Sequence, residues 1–214
     1  TTEIYTLSLH DALPIYIESR ARGEEPKPIP YGSRAPYEYC QAHLPVTEQR
    51  TAEGHAVRAM YLYSAMADLA AETGSAELHS ACRALWENVT GRRMYVTGGV
   101  GSSGTGERFT TDYDLPNETA YAESCAAIGL VLWAHRMLCI EADGRYGDVM
   151  ELALHNGVLA SLSLDGTRFF YVNKLASFPR AGEEWQRQRW FGCACCPPNI
   201  ARLVASLGSY VYGR

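Results

Sequence analysis

The stretch around which this sequence is organised is Phe191-Gly192-Cys193-Ala194-Cys195-Cys196-Pro197-Pro198-Asn199, which places three of the chain's seven cysteines within four positions. Adjacent cysteines pair with each other poorly, because a disulfide needs Cα atoms roughly 4.4–6.8 Å apart and a particular torsion about the sulfurs. The same thiols are well placed to hold one metal ion. We therefore interpret the stretch as part of a metal site, and the odd, unevenly spaced cysteines indicate a reducing compartment.

Two prolines follow the thiols and constrain the backbone there. Pro197 is expected to push Cys196 out of the α region towards an extended conformation. Either Pro197 or Pro198 can occupy the first turn of a helix, where a missing N–H costs nothing, and residues 200–207 continue with helical spacing. The thiols are therefore predicted at a helix N-terminus, where the helix dipole favours anionic sulfur.

A second group of donors lies upstream, in Tyr121-Ala122-Glu123-Ser124-Cys125. Glu123 and Cys125 are two residues apart, so inside a regular helix they would point to opposite sides. Ser124 is a good N-cap for the apolar helix behind it, which leaves Glu123 on the irregular side of the boundary. Alternatively, Cys125 is a small buried hydrophobe and Glu123 a first-turn carboxylate. Together the two groups supply the roughly four donors that a zinc site needs.

The composition is that of an ordinary globular protein. A chain of 214 residues, 47% hydrophobic and 20% charged, is long enough for one sizeable domain. Its net charge of −5 argues against nucleic acid or an anionic membrane as the main partner. The longest apolar run, Ala126–Ala134, is far shorter than the ~20 residues of a membrane helix. We therefore expect neither nucleic acid nor a membrane as a partner.

Both ends of the sequence look artificial. The start lacks an initiator Met and a signal-peptide pattern, and Thr6–Ile15 resembles a translated sequencing adapter. We expect residues 1–15 to be non-native and the remainder to be a piece of a longer protein. A cytoplasmic location in a bacterium is the expectation, with the true N-terminus, and any signal peptide it carries, outside this sequence.

The hydrophobic pattern alternates between two kinds of helix. Two predicted helices, at about 55–71 and 124–140, are apolar on more than one face. Two others, at about 75–89 and 146–162, carry a single apolar stripe. Such alternation in hairpin pairs predicts a mainly α fold, a toroid of helices in which an inner ring is buried on both faces and an outer ring is exposed to solvent on one face. Because only part of the ring is present, Met60, Ile128 and Leu132 are predicted to lack packing partners.

A long glycine-rich loop, 98–109, follows a strand-like segment at Met94–Thr97. No Gly-Lys-Ser/Thr and no βαβ context accompany its glycines, so a phosphate-binding loop is disfavoured. A loop of this length inside a compact domain usually has a function. This loop carries Glu107. A strand is predicted at Arg168–Asn173, after the Asp165-Gly166 turn.

Seven motifs, taken together in order and spacing, resemble glycoside hydrolase family 127, whose characterised members are β-L-arabinofuranosidases. They are Gly54–Tyr61, Tyr95–Gly99, Gly106-Glu107, Tyr113–Asn117, Tyr121–Cys125, Phe169–Asn173 and Cys195–Asn199. The resemblance covers roughly residues 35–214 and implies an (α/α)6 catalytic toroid with a few short strands. Residues 16–214 would then be the C-terminal part of that catalytic domain, truncated at both ends. Full-length members continue into β-sandwich domains, through which a homodimer is expected.

The same resemblance assigns roles to individual residues. It implies zinc ligands at Glu123, Cys125, Cys195 and Cys196, a nucleophile at Cys195, a general acid/base at Glu107, and sugar contacts at His55, Glu151 and Tyr171. Without the resemblance, we would interpret His55 as a helix cap, Glu151 as a solvated carboxylate and Tyr171 as a core residue. Cys193 either is a spare thiol near the metal or packs beside Trp190.

The implied function is that of a zinc-dependent retaining glycoside hydrolase that releases L-arabinose from terminal β-L-arabinofuranosides of an oligosaccharide or glycan. A Cys195 thiolate, kept deprotonated by zinc, would attack the sugar. Glu107 would protonate the leaving oxygen and then deprotonate the attacking water. The alternative is a non-catalytic, zinc-stabilised module that binds carbohydrate or is purely structural. Glu107 on its glycine loop favours the enzyme, since a structural zinc site does not require it.

Overall fold

The computed structural model describes residues 22–23, 36–176 and 186–211, so residues 1–15 lie outside the described part. This part is mainly helical. In chain order its α-helices are α1 (Pro36–Tyr39), α2 (Ala56–Thr73), α3 (Ala76–Asn88), α4 (Ser124–Glu141), α5 (Gly144–Ala153), α6 (Cys196–Ala205) and α7 (Gly208–Val211). A 3-10 turn lies at Val46–Glu48, a π-helical turn, Val89–Arg93, extends α3, and α5 continues through a π turn, Leu154–Val158, and a 3-10 turn, Leu159–Ser161.

The long helices begin where the sequence predicts, because side-chain caps fix their first turns. The Ser75 hydroxyl accepts a hydrogen bond from the Leu78 N–H, and His55 Nδ1 accepts one from the Arg58 N–H. Short connections of two residues join α2 to α3 and α4 to α5. Connections of this length place consecutive helices side by side as helical hairpins. The observed pairing agrees with the predicted helix pairs, while closure into a complete ring stays a prediction.

Helix α4 is the centre of the core. Residues 124–134 are all buried, whereas α3 exposes Glu77, Arg83 and Glu87, so the predicted contrast between two-sided and one-sided helices is confirmed. An aromatic chain of Tyr63, Trp133, Trp86 and Tyr146 links α2, α4, α3 and α5, with ring centroids 4.7–5.1 Å apart. Rings at such distances, packed edge to face or tilted, stabilise the core beyond the area that they bury.

The expectation that inner apolar side chains lack partners is wrong. Met60 and Ile128 have no exposed surface and Leu132 is 7% exposed. The reason is that α2 and α4 cover each other, with Gly129 directly against Met60: a Cβ added at Gly129 would lie 2.7 Å from the Met60 Cβ. One hydrophobic core therefore closes around these residues within the described part of the chain.

The mainly helical fold class is confirmed, while the strand predicted at 168–173 and the strand-like segment at 94–97 pair only through single bridges. Among the described residues, β-pairing is limited to isolated bridges, including Met94 with Val100, Phe169 with Leu162 and Gln188, and Val172 with Glu123. In the first case the chain turns back at once, because Gly98 adopts φ of +79° and its N–H bonds to the Tyr95 carbonyl at 2.8 Å. A turn this tight leaves no room for a strand.

Helix α4 alone among the described helices is long and apolar enough to cross a membrane. Of its residues, 67% are buried inside the fold. That burial is the pattern of a core helix.

Candidate active site

The vicinal cysteines lie at the start of α6. Its first helical residue is Cys196, Cys195 precedes it in the N-cap position, and Pro197 and Pro198 form the first turn. The helix N-terminus is therefore confirmed, but the expected extended conformation of the cysteine is wrong. A proline in the first turn needs no hydrogen-bond partner for its nitrogen, and the Asn199 N–H bonds to the Cys195 carbonyl at 3.2 Å, so the helix reaches back past the prolines.

The upstream donors span the start of α4. Glu123 has extended backbone angles (φ −61°, ψ 139°) and occupies the N-cap position, while Cys125 lies in the first helical turn. The predicted helix boundary between them is thus confirmed, with Glu123 and not Ser124 as the capping residue. The backbone there is held by the Ser124 N–H, which bonds to the Tyr171 carbonyl at 2.9 Å. Ala122, just before, is left-handed at φ +41°, a strained conformation for a residue with a Cβ.

The two groups of donors meet in one cluster. One side-chain donor atom from each of Glu123, Cys125, Cys195 and Cys196 lies within 4.8 Å of all the others. Glu123 Oε1 is 3.3 Å from the Cys196 sulfur and 3.5 Å from the Cys195 sulfur, and the two sulfurs are 3.7 Å apart. All seven cysteines are free thiols. The cluster is therefore a set of one carboxylate and three thiols, not a disulfide framework.

The cluster fits a bound cation. Glu123 is 3% exposed, and its Oε2 is buried without a hydrogen-bond partner among the described residues. A buried carboxylate oxygen of this kind is costly unless an ion or a donor faces it. Three sulfurs and one oxygen form a donor set suited to tetrahedral zinc. The residues present thus have the chemistry of a metal site.

Charge is unevenly shared among the three thiols. Burial raises the pKa of Glu123 to about 8 and raises the pKa of the Cys196 thiol. Hydrogen bonds from Cys125, and then from Cys196, lower the pKa of Cys195, while the bond to Cys195 raises the pKa of Cys125. The thiolate is consequently favoured at Cys195. This thiol is half-buried, whereas Cys125 and Cys196 are buried.

Glu107 reaches the cluster from a tight hairpin. Ser103 and Arg108 exchange backbone hydrogen bonds of 3.0 and 3.2 Å, and between them Gly106 and Glu107 are both left-handed, at φ +75° and +52°. The glycine is needed for close approach as well as for its φ, since a Cβ there would lie 3.1 Å from the Tyr39 ring. A strained glutamate at the tip of a hairpin is typical of a functional position. Its carboxylate lies within 4.8 Å of donor atoms of His55 and Glu123.

Both oxygens of the Glu107 carboxylate have partners. His55 Nε2 lies 2.9 Å from Oε2, and the Tyr121 hydroxyl donates to Oε1 at 2.6 Å. Because His55 Nδ1 accepts from the Arg58 N–H, the proton of a neutral His55 ring is on Nε2 and is donated to Glu107. The bond from His55 is the largest of the contributions that lower the pKa of Glu107.

Tyr171 contacts the exposed side of the cluster. Its hydroxyl oxygen is 3.0 Å from the Cys195 sulfur, and its ring packs edge-on against Phe191 at 5.4 Å between centroids. Burial raises the pKa of Tyr171, so its hydroxyl keeps a proton that it can donate to a Cys195 thiolate. The hydroxyl therefore faces the site, and Tyr171 is more than a core residue.

Two other residues named from the sequence, Glu151 and Cys193, differ in their relation to the cluster. Glu151 is exposed on α5, and within the described part of the chain no hydrogen bond or ion pair links it to the cluster, so its sugar contact stays a prediction. Cys193 and Trp190 are exposed on the segment before Cys195, and the Cys193 thiol forms a hydrogen bond with Cys195, which favours the interpretation as a spare thiol beside the cluster. Sequence reasoning did not single out Tyr121, although it begins the motif that carries Glu123. Its position two residues from a candidate ligand was the available signal.

Comparisons with known proteins agree with this geometry. A family model described as the GH127 catalytic domain of β-L-arabinofuranosidase matches residues 18–209. A curated relative, the non-reducing end β-L-arabinofuranosidase of Bifidobacterium longum subsp. longum, is 46% identical over an alignment of 181 residues that covers 81% of this chain and 28% of the relative.

Solved structures give the same result. The GH127 β-L-arabinofuranosidase Ara127N-Se from Geobacillus stearothermophilus T6 is 56% identical with a TM-score of 0.83, covering 92% of this chain and 32% of that protein. The GH127 β-arabinofuranosidase BT3674 is 40% identical with a TM-score of 0.78, covering 94% and 32%. This chain thus spans about a third of the length of these relatives. It belongs to glycoside hydrolase family 127, and residues 18–209 correspond to part of that family's catalytic domain.

Proposed function

We propose that this chain carries the reaction centre of a retaining glycoside hydrolase that releases L-arabinose from terminal β-L-arabinofuranosides of a glycan. The observation that carries the proposal is the convergence of three thiols and a buried carboxylate beside a second carboxylate, Glu107, on a strained hairpin. A purely structural metal site has no need of this second carboxylate. The substrate class comes from the relatives, which are β-L-arabinofuranosidases.

Glu123, Cys125, Cys195 and Cys196 are the residues that would hold zinc. When bound there, zinc supplies a positive charge that keeps the thiols deprotonated at neutral pH and orients them. The orphaned Glu123 Oε2 and the raised pKa of the buried Cys196 thiol support this assignment, because both groups are costly to ionise without a cation beside them.

Cys195 is the thiol suited to attack the sugar. It is the least buried of the three, its pKa is lowered by the neighbouring thiols, and the Tyr171 hydroxyl lies 3.0 Å from its sulfur. Its sulfur bonds to the anomeric carbon as the bond from that carbon to the leaving oxygen breaks. Because Cys125 and Cys196 are buried, they are suited to holding the ion and not to meeting substrate.

Glu107 is placed to move the proton in both steps. Its lowered pKa in the free protein favours the carboxylate, so its acid role requires the pKa to rise when a bound sugar excludes water from the site. One oxygen of its carboxylate lies within 4.8 Å of a carboxylate oxygen of Glu123, and Glu123 Oε1 is 3.5 Å from the Cys195 sulfur. Acid/base and nucleophile are therefore close neighbours, as retention requires. Glu107 donates a proton to the leaving oxygen in the first step and accepts one from water as water displaces the Cys195 sulfur in the second.

Two substitutions test the proposal on an aryl β-L-arabinofuranoside. Glu107→Gln keeps all four candidate zinc ligands and is expected to lower kcat/KM by about 10²–10⁴-fold. Cys195→Ser is expected to lower it by about 10³-fold or more, because a serine hydroxyl is a far weaker nucleophile than a thiolate. Cys139→Ser, at an exposed cysteine of α4, is the matched control and should leave turnover unchanged.

Metal analysis of the same preparations separates the enzyme from the alternative, a non-catalytic zinc module. An enzyme gives turnover that depends on Glu107 while zinc content stays the same in Glu107→Gln. A module would bind zinc and hydrolyse no aryl furanoside. Equal turnover in Glu107→Gln and in the unmodified protein would refute the assignment of Glu107.

A further inference from the structure

We propose that Tyr121 is a positioning residue, which holds the Glu107 carboxylate in the orientation that proton transfer requires. This inference rests on the proposed function and adds a residue that the sequence analysis did not assign. Its basis is the 2.6 Å hydrogen bond from the Tyr121 hydroxyl to Glu107 Oε1.

Tyr121 is itself firmly held. Its N–H bonds to the Ser102 carbonyl at 3.3 Å, and its own carbonyl accepts the Asn173 N–H, also at 3.3 Å. Its ring packs edge-on against Tyr171, with 6.4 Å between centroids, and lies so close to Gly104 that an added Cβ there would approach it within 3.3 Å. Tyr121 is therefore held by contacts with separate segments of chain, around 102–104 and 171–173, and its hydroxyl has a defined direction.

Glu107 needs such a partner. The Glu107 side chain has three rotatable bonds, so its carboxylate needs hydrogen-bond partners to hold one orientation. His55 restrains Oε2, which faces it at 2.9 Å. The family resemblance implies that His55 also contacts the sugar; because its Nδ1 is occupied by the Arg58 N–H, Nε2 would be shared between the sugar and Glu107 and would restrain Oε2 less. Tyr121 is then the side chain that holds Oε1 in place.

The arrangement gives the two carboxylate oxygens separate tasks. Tyr121 keeps its proton throughout and only donates a hydrogen bond to Oε1. The transferred proton leaves Oε2 for the leaving oxygen as the sulfur–carbon bond forms and the carbon–oxygen bond breaks. In the second step Oε2 takes a proton from water as the new carbon–oxygen bond forms and the sulfur–carbon bond breaks. Positioning at Oε1 thus leaves the chemistry at Oε2 undisturbed.

The test compares Tyr121→Phe with the unmodified protein on aryl β-L-arabinofuranosides whose leaving groups differ in acidity. A leaving group whose conjugate acid is weak needs a proton in order to depart. For substrates with such leaving groups, kcat/KM of the variant should fall by about 10- to 100-fold. For a 2,4-dinitrophenyl leaving group, which departs without a proton, kcat/KM should change by no more than a few-fold. Tyr95→Phe is the matched control. It also removes one tyrosine hydroxyl and its hydrogen bond, here to the Pro116 carbonyl at 3.1 Å, but it does so outside the site.

A loss in Tyr121→Phe that is the same for every leaving group would overturn the proposal, because it would show a general structural effect. A crystal structure of Tyr121→Phe supplies a second readout that needs no turnover. We expect the Glu107 carboxylate to occupy a new or mixed rotamer, and an unmoved carboxylate would also overturn the proposal. If the unmodified protein were inactive, the proposed function would fall, while this crystallographic test would still decide whether Tyr121 positions Glu107.

Discussion

Glu123 is the side chain on which the candidate metal site depends. It is 3% exposed, and its Oε1 lies within 3.5 Å of two sulfurs, while its Oε2 lacks a hydrogen-bond partner among the described residues. An ionised carboxylate in such surroundings is unfavourable without a cation. In the metal-free protein burial therefore raises the pKa of Glu123 to about 8, so that the group is largely protonated at neutral pH.

A prediction about pH follows for zinc binding. Below about pH 8 the metal-free cluster holds protons on Glu123, and the raised pKa values of Cys125 and Cys196 add further protons, all of which zinc must displace. Zinc affinity should therefore rise with pH, by roughly tenfold per pH unit for each proton released. Competition with a chelator between pH 6.5 and 8.5, corrected for the chelator's own protonation, measures this slope.

Glu123→Gln provides the control for this prediction. The amide cannot ionise, so the variant should bind zinc more weakly and with a shallower dependence on pH than the unmodified protein. Glu118→Gln, at an exposed position of the preceding segment, should change neither quantity. Zinc affinity that did not vary with pH in the unmodified protein would contradict the inferred proton load of the cluster.

Individual site residues differed in how far sequence could predict them. Glu123 and Cys125 could be joined because a capping pattern marks the helix boundary between them, and that boundary is observed. The contact of Tyr121 with Glu107 could not be foreseen, since it depends on two consecutive left-handed residues in a hairpin and on the direction of a phenol 14 residues away. Backbone angles of this kind are set by tertiary packing, not by local propensity.

The packing of α2 against α4 depends on a missing side chain. Gly129 lies in the middle of α4, and a Cβ at this position would come within 2.7 Å of the Met60 Cβ on α2. Contacts this short are not tolerated, so the helices would have to move apart. Glycine in a helix interior costs stability by itself, and its presence here is explained by the close approach.

Substitution of two helical glycines should therefore have opposite effects. Gly129→Ala is expected to lower the free energy of unfolding by about 1–3 kcal/mol, because it overpacks the contact between α2 and α4. Gly147→Ala on α5, where an added Cβ meets nothing within 4 Å, is expected to raise it by about 0.5–1 kcal/mol through helix propensity. Urea unfolding followed by circular dichroism measures both. Stabilisation by Gly129→Ala would contradict the close approach of the two helices.

Helices were easier to predict than the segments between them. The apolar pattern located α2, α3 and α4, since a period of 3.6 residues is a local signal. The aromatic run at 168–173 was predicted as a strand but forms only isolated bridges, because its partners are single residues from three different segments. Pairing of that kind is decided by distant chain, which a local pattern does not contain.

The fold brings together parts of the chain that are far apart in sequence. Glu123 and Cys195 are 72 residues apart, yet their donor atoms are separated by 3.5 Å. Helix α6 is also tied to the rest of the structure by Ile200 and Leu203 in the core and by bonds from Asn199 and Arg202 to the Tyr61 hydroxyl. A metal ion shared by the start of α4 and the start of α6 would therefore act as a cross-link between two ends of the core.

Removal of zinc should accordingly destabilise the protein unevenly. Free zinc at a hundred times its Kd adds about 2.7 kcal/mol to the free energy of unfolding. Chelation should therefore lower Tm by about 5–10 °C for a domain of this size. Amide hydrogen exchange should rise first in α6 (Cys196–Ala205), whose N-terminus loses its cross-link, and least in the middle of α4, which is buried on all sides. Glu123→Gln, with weakened zinc binding, should respond less to chelation. Equal loss of protection in α4 and α6 would contradict a cross-linking role, because it would show that the ion stabilises the core as a unit.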